Sequence, residues 1–534
     1  MDLTKVADLK IEAGGPPAGF TPGVTNLGVF DLPNSEGLND SERLLSKLCK
    51  KSFLSLWSFP NLHTDRDLQA GKGSAKELSD VLAVFGDDVI IFSDKHVVFQ
   101  GHKDLEVAWP RWYRSAVADS ANQLHGAMSW LQRFPDRVFL DAKCTRALPV
   151  KLPPSERARF HLVAVTRGSF DACAAHFSGS LGTLQINTGV TAAEHFDHPF
   201  TVGNLDRKKK FVHVLDEFSL EVAMRELDTV SDFVEYLRAR EEFLTSEHTV
   251  VMAAGEEQLV AAYLSNMSGG KHTFLPPAGE EKVPDVVFFD ETHYPEFVQS
   301  AAYRRRKDAN ERSYLWDHLI EKFIRLGDPT LAHPDVNQGL TETEQLLRAI
   351  ASEDRFRRRH LVDTWMTVLR DALPGKRRAR MMLSEQYPEI FYIFLVQPRL
   401  PEESYEDYRR HRAAMLHAYC RCAKLKAQNA TKFIGIGLDH TTRDYRGVSE
   451  DLMMYTSPLE LSPEDREEAE EMRELLGIFG DGLTVQGFHA DEFPPGSVRE
   501  YFPIKEGGIG DKQKTKSMKR KKKAAQASKK RNRR

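Results

Sequence analysis

The sequence predicts an α/β protein: a mixed sheet flanked by helices, followed by a second α/β or α+β domain. Three observations lead there. Short β-branched runs (VLAVF, VIIF, FHLVAV, FVHVLD) alternate with amphipathic helical stretches through the first half. The same alternation returns after residue 250 with DVVFFDE, IFYIFLVQ and KFIGIGLD. At 534 residues the chain is also too long for one small core.

Residues 1–37, rich in Gly and Pro, read as an extended leader. The first domain is expected over 38–248. A helix starts at Asn39 or Ser41, both good N-caps, with Glu42 in its first turn. The polar stretch 61–75 breaks the pattern, and the two apolar runs around Gly86-Asp87-Asp88 then predict a hairpin of buried strands. A helix from about Trp109 to Arg133 follows, then strands at VFLDAK, FHLVAVTR and FVHVLD, and one long or two short helices over 219–244. The second domain, 249–505, has helices at EEQLVAAYLSNM, at ANERSYLWDHLIEKFIRLG and over about 402–427, set among its three strands.

Composition excludes several classes. Hydrophobic residues make up 41% and charged residues 28%, ordinary for a water-soluble globular chain. There is no apolar run of the roughly 20 residues that a membrane span needs, and the acidic N-terminus does not read as a secretory signal. Five scattered cysteines suit a reducing cytoplasm, and Cys420-x-Cys422 has no second pair to complete a zinc site. GxxxxGK[ST], GxGxxG, HExxH and GxSxG are all absent, so no nucleotide loop, zincin or serine-hydrolase elbow is predicted.

The net charge of −4 conceals an asymmetry. From Lys512 to Arg534 there are 13 basic residues and no acidic one, which leaves 61 basic against 78 acidic residues in the body, about −17. The segment 506–534 is expected to be a disordered basic tail. Lys519, Arg520, Lys521, Lys522 and Lys523 are its densest cluster, suited to binding polyanions by counterion release. Further basic clusters, Arg304–Lys307, Arg355–Arg359 and Lys376–Arg380, read singly as solvated helix faces and together favour a polyanion-binding surface.

Asp80 directly precedes VLAVF and Lys95 follows VIIFSD, so both charges stand at the mouth of a buried sheet, fifteen residues apart. A helix, a hairpin with an acid on one strand and a lysine ending the next, then another helix and strand: residues 35–170 resemble the PD-(D/E)xK, or restriction-endonuclease-like, superfamily. The resemblance implies a Mg²⁺-dependent (or Mn²⁺-dependent) nuclease. Asp80 would be a metal ligand and Lys95 would orient the attacking water. Glu42 on the preceding helix would assist, and Arg114 and Gln123 on the following helix would touch phosphate. The sequence departs from the pattern at Ser93, where the superfamily carries an acidic or amide ligand two residues before the lysine. Either Glu77 or Glu42 replaces that carboxylate, or a bulge turns Asp94 into the site, or the site binds nucleic acid without cutting it. Read as active, the protein is a cytoplasmic phosphodiester hydrolase acting on nucleic acid, DNA before RNA, in a setting such as anti-phage defence. A homo-oligomer or partner protein would engage its C-terminal domain. Asp290, Glu291, Asp439 and His440, at strand ends of the second half, are a minor second site candidate.

Overall fold

The computed structural model describes residues 39–69, 71, 74–178, 180–276, 285–326, 340–439, 449–480 and 490–494. The leader, the basic tail and His440 lie outside the described residues.

Helix α1 (Asp40–Trp57) begins where the sequence places it, with the Asn39 side chain accepting from the Glu42 N–H. It breaks near its end at Leu54, whose φ of 63° is left-handed, and the chain runs straight into β1 (Ser58–Thr64). Then come β2 (Lys76–Phe85) and β3 (Asp88–His96), joined through Gly86, whose φ of +62° is what a tight hairpin turn requires of its first residue. Helix α2 (Leu105–Tyr113) passes through a π turn at Arg114–Ala118 into α3 (Asp119–Arg133). Strand β4 (Arg159–Arg167) returns parallel to β3.

Strands β5 (Gln185–Thr191), β6 (Thr201–Asn204) and β7 (Val212–Asp216) follow, then α4 (Glu217–Glu226) and α5 (Val230–Leu244). The first sheet runs β1-β2-β3-β4-β7: antiparallel across its first three strands, parallel across its last three. Its order along the chain is helix, three strands, helix, strand. Helices α1 and α3 lie on it, and β3 at its centre is buried from Asp88 to Ser93.

Strand β8 (Val250–Ala253), helix α6 (Glu256–Ser265) and strand β9 (Val286–Phe289) come next. The second sheet is ordered β9-β8-β5-β6, so strands from both sides of residue 248, where the sequence suggested a domain boundary, share one sheet. One hydrophobic core likewise runs from Leu45 to Leu452. Beyond α7 (Tyr314–Leu326) and α8 (Arg355–Arg370), the third sheet comprises β10 (Arg378–Leu383), β11 (Ile390–Gln397), β12 (Lys432–Asp439) and β13 (Glu450–Thr456) in that order. Helix α9 (Tyr405–Ala423) covers it.

Some expectations fail for local reasons. VFLDAK makes only an isolated bridge at Phe139, between His63 and Ala147, because Asp141 folds the chain back by taking the Lys143, Thr145 and Arg146 amides. Strand β1 was not foreseen, since Pro60 and Asn61 disguise it. Two of the three basic clusters are largely internal, whereas Lys376 and Arg378 of the third are exposed. Arg306, Arg355, Arg358 and Arg359 are buried, with Arg306 on Glu492, Arg355 on Asp228 and Asp317, Arg358 on Asp317, and Arg359 on the Asn310 side chain. Arg355, Arg358 and Arg359 tie α8 to its neighbours.

Phe92 of β3 meets Phe53 of α1 at 6.2 Å and Phe233 of α5 at 6.4 Å between ring centroids, joining both helices to the central strand. Phe92→Ala is expected to cost about 3–5 kcal/mol in urea unfolding. Val98→Ala, at a position 74% exposed, should stay within about 0.5 kcal/mol of wild type.

Candidate functional site

The β2–β3 ladder is paired from Phe85↔Asp88 to Val81↔Phe92. Just past it, the Asp80 carboxylate accepts the Asp94 backbone N–H at 2.6 Å, taking the place of a ladder partner. Asp80 is buried, 9% exposed. That burial, opposed by the Asp94 N–H and aided by the negative charges of Glu77 and Asp94, raises its carboxyl to about 7. Lys95 lowers it, so Glu77 and Lys95 both lie within electrostatic reach of Asp80. Glu77 lies on the exposed end of β2 and Lys95 is half-buried.

The β3–β4 register runs without interruption from Asp88↔Arg159 to His96↔Arg167. With no bulge, alternation keeps Ser93 and Lys95 on one face and Asp94 on the other. Asp94 is held there by the Arg167 guanidinium, with Nε 2.9 Å from Oδ1 and Nη2 3.0 Å from Oδ2. The turning of Asp94 toward Lys95 that the sequence left open therefore does not occur. Burial raises the Asp94 carboxyl, Arg167 pulls it back, and Glu42 pushes it up, so Glu42 acts on Asp94.

Helix α3 packs against β3 and brings Gln123 to Ser93, whose hydroxyl donates to the Gln123 carbonyl oxygen at 3.4 Å. Gln123 thus lies on the Ser93 side of β3. Arg114, at the start of the π turn, is exposed and its guanidinium lies 5.6 Å from the Phe196 ring centroid. The exit of β3 is pinned: Trp112 Nε1 donates to the Val97 carbonyl at 2.8 Å, and Val97 N–H donates to the Arg167 carbonyl at 3.2 Å. Gly168 is required there, because a Cβ would stand 2.5 Å from the Val97 oxygen.

Sequence reasoning missed two features of this sheet. Thr166, paired in register with Lys95, is fully buried with a hydroxyl that has no partner among the described residues. At the opposite end, one ring nitrogen each from His161 and His213 and a carboxylate oxygen of Glu241 lie within 4.8 Å of one another. The signal was there: each histidine interrupts an apolar strand run, and a buried imidazole needs partners. Elsewhere, Asp439 is paired with Arg412, and Asp290 takes the Thr292 amide and hydroxyl at 2.9 and 2.7 Å. Both carboxylates are already engaged. Asp216, pushed up to about 6 by burial, caps α4 through the Phe218 and Ser219 amides.

Comparison with known proteins adds no relative: no family model, no curated protein and no solved structure matches this chain. No helix among the described residues is long and apolar enough to cross a membrane.

Because the folded chain holds the Asp80 proton up to about 7 while an unfolded aspartate releases it near 4, the folded state binds more protons in that window. Stability is therefore fullest below about pH 4 as far as Asp80 is concerned, and falls as pH rises toward 7. In chelator, Asp80→Asn should match wild type near pH 4 and exceed it at pH 8, by at most about 4 kcal/mol for a three-unit shift. Urea unfolding at both pH values checks this; an equal difference at both would show that the carboxyl is not desolvated.

Proposed function

We propose that the chain is a Mg²⁺-dependent nuclease of the restriction-endonuclease-like kind, acting on DNA in preference to RNA. The observation that carries the reading is the buried Asp80 carboxylate at the open end of the central hairpin, with Lys95 and Glu77 close enough to bias its charge. The order helix, hairpin, helix, strand around it supports the reading, with β1 added ahead of the hairpin. Asp80 and Glu77 offer the carboxylate oxygens that a hard cation prefers, so the donor set fits Mg²⁺ or Mn²⁺. Such an ion would supply charge neutralisation at the phosphate and a more acidic bound water. Lys95 would orient the attacking water and stabilise charge on the phosphate. Gln123, on the same face through its bond to Ser93, positions a phosphate oxygen. Glu77 is the replacement for the acidic ligand, since Ser93 is tied to Gln123, Asp94 is held by Arg167, and Glu42 acts on Asp94. The basic tail would hold the polyanion to an acidic body, and a role in anti-phage defence fits such a nuclease.

One observation favours a second reading, a nucleic-acid-binding protein that does not cut. The neutral Ser93–Gln123 pair stands where the superfamily carries an acidic or amide ligand, and it brings no charge to offset a cation.

Cleavage assays with Mg²⁺ or Mn²⁺ on single- and double-stranded DNA and RNA separate the two. The proposal expects cutting that falls at least about 100-fold in Asp80→Ala and Lys95→Ala, and substantially in Glu77→Gln. Variants that cut as well as wild type would remove the site assignment, and a wild type that binds without cutting would establish the second reading. Deleting residues 512–534 should weaken nucleic-acid binding and flatten its dependence on salt, measured by fluorescence anisotropy across a salt series.

A further inference from the structure

Strands β4 and β7 are parallel neighbours with Val163 opposite His213. His161, two residues before Val163, therefore shares a face with His213. Glu241 of α5 completes the group. His161 is 2% exposed and His213 fully buried, and each keeps one ring nitrogen without a hydrogen-bond partner among the described residues: Nδ1 of His161 and Nε2 of His213. Two such orphans in one core are costly unless something joins them.

We propose that His161, His213 and Glu241 bind a late first-row divalent ion of the zinc(II) type. Two imidazole nitrogens and one carboxylate oxygen suit such an ion and leave a fourth position for water. His161 is already prepared for it. Its Nε2 meets the Asp88 carboxylate at 2.9 Å, which fixes the proton on Nε2 and leaves Nδ1 as the nitrogen free to ligate. Arg159 and Arg238 in turn hold that Asp88 carboxylate.

Two contacts must yield. Lys210 pairs with Glu241 at 2.6 Å, but these side chains are 30% and 25% exposed, so the ammonium can turn into water. Arg240 donates to His213 Nδ1 at 3.2 Å, while its Nε and Nη2 hold Glu256 at 2.7 and 2.8 Å. A guanidinium only donates, so in the metal-free state His213 carries its proton on Nε2. Loading moves that proton to Nδ1 and gives up the longest of the three Arg240 bonds. The donor atoms then close from within 4.8 Å to the roughly 3.4 Å separation of a tetrahedral site with bonds of about 2.1 Å. Glu241, on a helix rim, has the freedom to make most of that movement.

The cluster sits at the end of the sheet opposite Asp80. Asp88, which holds His161, and Asp94, which bonds to Asp80, are six residues apart on β3, about 20 Å. The ion would clamp β4, β7 and α5 together.

Full-length protein stripped with chelator and titrated with Zn²⁺ tests the proposal, read by calorimetry, by melting temperature and by the visible absorption of the Co²⁺ form. The expected result is a tightest equivalent that binds with a rise of several degrees in Tm and a tetrahedral Co²⁺ spectrum, and that persists in Asp80→Ala protein. Glu241→Gln, on the accessible side, should keep the fold and weaken binding at least tenfold, and His161→Asn should abolish it. Asp80→Ala should leave Zn²⁺ binding unchanged, which separates this site from the proposed nuclease centre. Wild type that takes up no Zn²⁺ with a shifted Tm, or Glu241→Gln and His161→Asn that bind it as wild type does, would overturn the proposal.

Discussion

Strand β3 is enclosed on both faces from Asp88 to Ser93, and the rest of the molecule is arranged around that constraint. A central strand in a sheet covered by helices cannot carry charge along its length, because burying an unpaired ion is prohibitive. Its charged groups are driven to its two ends. At one end Asp88 is answered by His161, Arg159 and Arg238; at the other Asp94 is answered by Arg167. Between them Val89, Ile90, Ile91 and Phe92 bind the helices.

The two ends differ in how fully their charges are met. Three cationic or imidazole partners hold the Asp88 carboxyl well below the usual range despite its burial. Asp80, beside Asp94, has one backbone N–H and a half-buried lysine, and burial wins, leaving its carboxyl near neutrality. A carboxylate kept in a dry and under-compensated place is the kind of group that the proposed cation site would use. The contrast between Asp88 and Asp80, on adjoining strands of one sheet, gives the functional reading its physical content.

Much of this was legible in the sequence, and the remainder was hidden for physical reasons. The hairpin was readable because β-branched runs and Gly86 report local preferences, and α1 because Asn39 caps it. Ser93 could be placed on the Lys95 face from strand alternation alone, and the unbroken register upholds that. The partner of Asp94 could not be read, since Arg167 lies 73 residues away and only the parallel β3–β4 pairing brings it near. The same holds for His161 and His213, on strands that become neighbours only in the folded sheet. Long-range pairing also explains why a boundary at residue 248 was plausible from composition yet runs through a sheet. The clusters around Arg306 and Arg355 look cationic in sequence because their partners, Asp228, Asp317 and Glu492, are distant along the chain.

The account rests on Asp80 as a cation ligand, which can be measured apart from any cleavage. Mn²⁺ binding to full-length protein, followed by electron paramagnetic resonance, reads free and bound ion directly. Wild type should bind Mn²⁺, Asp94→Asn should retain that binding, and Asp80→Asn should lose it. Equal Mn²⁺ binding by Asp80→Asn and wild type would contradict the central claim.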